Sequence, residues 1–245
     1  MSGRLRHPRL SVSRLVELVG PPGAGKSTVF HALLARAENV QVAPVLLTRE
    51  YAPLLAANVA ATLGTLVRRG AIRCLTPAHL RVMAYLRALP AVVERRPPGA
   101  GGVLVFDQGP LYLLGRPRVM DTRLATWRQE MFESWASLLD VVVWLDAPDP
   151  VLVERIDGRS KWHRLKGQPA NATTDVLTES RAVYEDMISR LEGRDDRPAI
   201  LRFDTSDAPP DEIADALLND VDGFSLRVGL RGAAAGEATP LDARS

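Results

Sequence analysis

Gly20-Pro21-Pro22-Gly23-Ala24-Gly25-Lys26-Ser27, followed by Thr28, satisfies the spacing G-x-x-x-x-G-K-[ST] and restricts this chain more than any other segment. The spacing carries weight only between a strand and a helix, and both are expected here. Leu15 to Val19 reads as a short buried strand before the loop. After it, Val29, Phe30, Leu33 and Leu34 mark the apolar face of a helix from Lys26 to Ala37. A strand, a glycine-rich turn and a helix in that order aim backbone N–H groups and the positive end of a helix at one point, which is what phosphate oxygens require. Residues 20–28 are therefore expected to cradle the phosphates of a magnesium nucleotide. Lys26 would bridge the β- and γ-phosphates, and the Ser27 hydroxyl would bind Mg²⁺.

The same alternation continues along the chain. A strand is expected at Val42 to Thr48, then helices at Pro53 to Arg69 and Pro77 to Arg95, the second carrying Pro90. Valine-rich runs at Val103 to Phe106 and Val141 to Leu145 have the composition of strands buried on both faces. Helices are expected at Thr122 to Leu139, Pro148 to Gly158, Thr174 to Leu191 and Pro210 to Leu218, with a last strand at Ala199 to Phe203. Strands separated by helices predict a parallel sheet covered on both faces, with ligands at the carboxyl ends of the strands. Residues 1–13 read as a flexible arm, 14–222 as one domain with a lid near 155–174, and 223–245 as a tail.

Acidic residues fall where such a sheet gathers its ligands. Asp107 ends the run Val103-Leu104-Val105-Phe106, a position from which a carboxylate holds Mg²⁺ and its waters, or else caps the turn before Gly109-Pro110. Glu50, after Thr48-Arg49, would accept a proton from an acceptor hydroxyl, and Arg49 would hold an anionic group; both also suit an ordinary surface. Gln108 and Arg164 are assigned to the acceptor side. Asp146 either reaches the site or caps the next helix. Arg155, Arg159, Lys161, Arg164 and Lys166 lie between Glu154 and Gly167, with Trp162 and His163 among them. Arg155 and Arg159 are four apart on one helical face, so the run reads as a mobile lid that brings positive charge to a transferring phosphoryl group, or as a solvated basic helix.

Composition narrows the class of function. A net charge of +2 in 245 residues is too small for a nucleic-acid footprint unless the basic residues converge. One cysteine, Cys74, excludes an intrachain disulfide and agrees with a reducing cytoplasm. No apolar run approaches the ~20 residues of a membrane span.

These segments resemble a known family. GPPGAGKST, TRE, VLVFDQGP and VVVWLDAPDPVLVERIDGR look like the successive landmarks of thymidylate kinases and, more loosely, of deoxynucleoside kinases, over Leu15 to Asp207. The resemblance implies the nucleoside monophosphate kinase branch of the P-loop fold, a five-stranded parallel sheet, ATP with Mg²⁺, and an arginine-bearing lid. It also implies that Thr48-Arg49-Glu50 contributes to the acceptor site, with Glu50 as base. The chain departs from thymidylate kinases where it has Pro22 for an aspartate, Tyr51-Ala52 for Pro-Gly, and Asp107-Gln108 for Asp-Arg. All three departures bear on the acceptor.

The expectation is a cytoplasmic phosphotransferase that moves the γ-phosphoryl group of ATP to a nucleotide, a nucleoside or another small hydroxyl or phosphate acceptor. Its partners are ATP and that acceptor, with no nucleic acid and no membrane, and a homodimer is compatible with it. The competing expectation is a nucleotide-driven ATPase or switch, which needs no dense arginine set between Arg155 and Arg164.

Overall fold

A computed structural model of the chain describes residues 14–37, 39–43, 52–68, 76–94, 102–116, 124–160 and 164–219. Five strands, β1 (Arg14–Val19), β2 (Val40–Val42), β3 (Val103–Phe106), β4 (Val141–Asp146) and β5 (Ala199–Asp204), form one sheet in the order β2-β3-β1-β4-β5. Every neighbouring pair is parallel. The helices are α1 (Lys26–Arg36), α2 (Ala52–Arg68), α3 (Pro77–Glu94), α4 (Pro110–Leu114), α5 (Ala125–Ala136), α6 (Asp149–Asp157) and α7 (Ala170–Glu192), with α8 over 210–219. The expected three-layer α/β sandwich of the P-loop type is what the chain forms. No helix among the described residues is long and apolar enough to cross a membrane.

Strand alternation sorts the core into two layers. Leu15, Val19, Leu104, Phe106, Val142 and Trp144 join Met83, Leu86 and Leu89 of α3, Trp135 of α5, and Met187 and Leu191 of α7. Val16, Leu18, Val103, Val105, Val143 and Leu145 join Val29 and Leu33 of α1, Leu152 and Ile156 of α6, and Ile213 and Leu217 of α8. Because both faces are covered, β3 and the Val141–Leu145 part of β4 read as unbroken apolar runs. Each such side chain contributes about 1.5–3 kcal/mol on burial, so layers of this size hold the sheet without a disulfide. Trp135 is fully buried, with its indole N–H donated to the Leu86 carbonyl at 3.2 Å and its ring edge-on to Phe106.

The register positions the functional ends. Val16 of central β1 pairs with Val105 of β3 on one side and Val141 of β4 on the other. The three strands end in a staggered row, β3 level with Glu17, β1 at Val19 and β4 two residues beyond the partner of Val19, and Gly20, Asp107 and Asp146 all lie at this carboxyl end of the sheet. The second strand begins at Val40, ahead of the expected Val42, where Val40 pairs with Val103 of β3; the expected continuation over residues 44–48 lies outside the described residues. Helix α7 starts at Ala170, ahead of the expected Thr174, led in by Pro169.

One element differs from expectation. Gly109-Pro110 reads as a turn, yet Pro110 opens the single-turn helix α4. Two first-turn N–H groups that lack partners within α4 are satisfied from far away in sequence: Glu17, within β1, accepts from Leu111 N at 3.0 Å and Tyr112 N at 2.9 Å. Glu17 is buried completely, and burial pushes its carboxyl up to about 8 against the pull of those two donors.

Gly20 is the tightest point of the framework. Its φ is 148°, and a Cβ there would lie 2.0 Å from the Leu145 carbonyl oxygen of β4. Replacing Gly20 with alanine should therefore push the loop off the sheet and cost on the order of 3 kcal/mol or more. Urea unfolding checks this, with Gly25→Ala as the contrast, since a Cβ at Gly25 meets nothing within 4 Å and only its left-handed backbone is strained.

Candidate active site

The loop between β1 and α1 is wedged from behind. Gly20 lies against the end of β4, and a Cβ on Gly23 would come within 2.9 Å of the Leu152 carbonyl of α6. Gly25 takes φ 79° immediately before α1, which turns the chain so that the helix starts at Lys26. Lys26 folds back across the loop, and its ammonium donates to the carbonyls of Gly20 at 2.7 Å and Pro21 at 2.8 Å. The amine is half-buried beside the cleft. Burial pushes it down to about 8, Asp107 acts against that shift, Arg159 reinforces it, and Asp146 again acts against it.

Asp107 leaves the end of β3 toward the start of α1. The Ser27 hydroxyl lies 3.1 Å from each of its carboxylate oxygens. Asp107 thus engages the loop rather than capping the turn that follows, and α4 has no side-chain cap from Gly109. A hydroxyl and a carboxylate side by side, next to an ammonium, form a set of hard oxygen donors that suits Mg²⁺. Ser27 and Asp107 are the residues that fit that ion.

These groups open into a cleft of about 640 Å³, within the range of small-molecule sites. Gly20, Pro22, Gly25, Ser27 and Thr28 form one part of its lining, and Asp107 and Gln108 another. Pro21, Gly23 and Ala24 form the remainder of the loop behind them. Arg159 and Arg164 line the cleft from the connection after α6. Arg155 does not line it: its guanidinium donates to the Thr205 hydroxyl and the Thr205 carbonyl, each at 2.8 Å, and so holds the turn after β5. The (i, i+4) spacing expected to bring both arginines to one place brings Arg159 alone. Helix α6 ends at Asp157, and Arg159 lies beyond it. Lys166 donates to the Arg159 carbonyl and steadies that connection. Lys161, Trp162 and His163 lie outside the described residues, as do Arg49 and Glu50.

Asp146 does both tasks expected of it only in part. It accepts from Ala147 N at 2.8 Å and from Arg181 Nε at 2.7 Å, so it shapes the start of the β4–α6 connection without capping α6. It reaches the site through its charge on Lys26. Arg181 also binds Asp149 and the Ala147 carbonyl.

The far wall escaped sequence reasoning. Tyr112 and Arg116 come from α4 and its end, and Val176, Glu179, Ser180, Val183 and Tyr184 from one face of α7. The α7 residues do follow helical spacing, but a mixed apolar and polar stripe on an amphipathic helix is an ordinary pattern. The Arg116 guanidinium lies 5.9 Å from the Tyr112 ring centre, and Trp144 backs Tyr184 at 5.9 Å between rings.

No protein-family model matches the chain, and no curated protein matches it in sequence. Among solved structures it is similar to the deoxyadenosine kinase of M. mycoides with bound dCTP, at 15% identity and a TM-score of 0.47, over 85% of this chain and 99% of that one. It is also similar to a structure of deoxyadenosine kinase from the same organism with bound dATP, at 12% identity and a TM-score of 0.46, with the same coverage of each chain.

The lowered Lys26 ammonium predicts proton uptake when a phosphate arrives. Above pH 8 the empty loop holds a growing share of neutral Lys26, and phosphate charge beside Nζ raises its affinity for a proton again. ATP should then bind with uptake of up to about one proton near pH 9, and affinity should weaken by at most about tenfold per pH unit above 8. Calorimetry in two buffers of different ionisation enthalpy measures the uptake, and Lys26→Met should show none.

Proposed function

We propose that this protein is an ATP-dependent small-molecule kinase. Its γ-phosphoryl acceptor is a nucleotide, a nucleoside or another small hydroxyl or phosphate compound, in keeping with the thymidylate kinase-like landmarks of the sequence. The observation that carries the reading is the convergence of Lys26, the Ser27–Asp107 pair, Arg159 and Arg164 on one cleft that continues past the loop to a separate wall. Holding a nucleotide needs only the loop. Cations beyond it and room beside it fit the transfer of a phosphoryl group to a second molecule.

In the reaction the bond from the γ-phosphorus to its bridging oxygen breaks, and that oxygen leaves with ADP. A bond forms from the γ-phosphorus to an acceptor oxygen, whose proton, where it carries one, passes to a carboxylate and then to water. Glu50 and Asp107 are the two candidates for that carboxylate. Lys26 and the loop amides hold the phosphates, and Arg159 with Arg164 stabilises the charge that spreads over the transferring group. Ser27 and Asp107 would hold Mg²⁺, which would supply neutralising charge to the phosphates. Arg49 and Gln108 are assigned to the acceptor. Arg155 serves by holding the turn at Thr205, which steadies α6 and so supports the connection that carries Arg159.

The test is transfer of label from [γ-³²P]ATP to nucleosides, nucleoside monophosphates, sugars and amino alcohols. Wild-type protein should label at least one of them. Lys26→Ala should lose about 10²-fold or more in rate, and Arg159→Ala about 10³-fold in kcat with little change in ATP binding. Asp107→Asn should require far more Mg²⁺ to reach half its maximal rate. Release of phosphate to water with no acceptor labelled would instead support the ATPase or switch.

A further inference from the structure

Glu17 is the one carboxyl group that the sheet encloses completely among the described residues, and the chemistry proposed above does not use it. A valine or leucine at that strand position would cost far less to bury, since an enclosed carboxyl group must recover several kcal/mol from its partners. Its partners are two backbone N–H groups of α4, at Leu111 and Tyr112. A five-residue helix does not sustain itself, because nucleation costs more than one turn of hydrogen bonds returns. Glu17 supplies what α4 lacks.

The fit leaves no slack. A Cβ on Gly109, at the entrance to α4, would lie 2.6 Å from Glu17 Cδ, 2.8 Å from its Oε1 and 2.7 Å from the Phe106 Cβ. Only glycine lets the chain pass over the carboxyl group. What α4 carries beyond that point belongs to the cleft: Tyr112, whose own N–H is one of the two held, then Gly115 and Arg116.

We propose that Glu17 is a positioning residue whose enclosed carboxyl group fixes α4, and so sets the wall bearing Tyr112 and Arg116 against which the phosphoryl acceptor lies. The assignment of that wall to the acceptor rests on the kinase reading. The grip of Glu17 on α4 does not.

The experiment compares wild type, Glu17→Gln and Gly109→Ala. An amide keeps one acceptor oxygen and turns an NH₂ toward the second backbone donor, so one hydrogen bond is lost with little change in volume. Gly109→Ala leaves the carboxyl group intact and displaces it by contact. Hydrogen exchange followed by mass spectrometry should show peptides over 110–116 exchanging about tenfold faster in both variants, with peptides over α1 unchanged. In the transfer assay with deoxynucleosides and nucleoside monophosphates, the acceptor KM should rise several-fold while the ATP KM stays constant. Unchanged exchange over 110–116 in both variants would overturn the proposal, as would an equal rise in both KM values, which marks a general loss of structure. If wild type labels no acceptor, the kinase reading fails while the exchange result still judges Glu17. Should Glu17→Gln not fold, Gly109→Ala decides.

Discussion

The close approach of Gly20 to the Leu145 carbonyl governs the rest of the site. With 2.0 Å between that oxygen and any Cβ, the loop lies directly on the end of β4 and cannot stand away from the sheet. Everything functional is measured from that contact. Because β1 runs between β3 and β4, the loop rises between the strand that delivers Asp107 and the strand that delivers Asp146. Ser27, one residue into α1, then meets Asp107 without any adjustment of the loop. A different strand order with the same local sequence would separate these residues, so topology and motif act together here.

Charge and desolvation together decide how the loop lysine is held. Lys26 loses hydration inside the loop, and the carbonyls of Gly20 and Pro21 replace part of that water. Desolvation wins: the ammonium is held down near 8 although Asp107 and Asp146 both favour the charged form. Arg181 draws Asp146 and Asp149 together and so limits how far Asp146 can compensate Lys26. Under the kinase reading an arriving polyphosphate brings the negative charge that the lysine lacks, into a cleft that Arg159 and Arg164 also line.

The loop, its flanking elements and the cleft end of β3 were legible in the sequence because each rests on local pattern. Gly20 to Thr28 is a contiguous motif, and Val103 to Phe106 is a run whose end marks Asp107. What was hidden depends on pairs far apart in the chain. Glu17 is 94 residues from Leu111, and a lone acidic residue in an apolar strand signals nothing about a helix that far away. Arg155 reads as a partner of Arg159 by helical spacing, but the helix stops at Asp157 and Thr205 takes the Arg155 guanidinium. Tyr112 and Arg116 were missed with α4 itself, which exists through Glu17 and not through any helical pattern of its own.

The central claim is that one cleft holds a nucleotide by its phosphates with a metal at Ser27 and Asp107. A crystal structure with a non-hydrolysable ATP analogue and Mn²⁺, whose anomalous signal locates the ion, tests it most directly. The β- and γ-phosphate oxygens should contact Lys26 Nζ, with the ion beside Ser27 and Asp107 and Arg159 on the γ-phosphate side. A nucleotide bound elsewhere, or an anomalous peak away from Ser27 and Asp107, would contradict it.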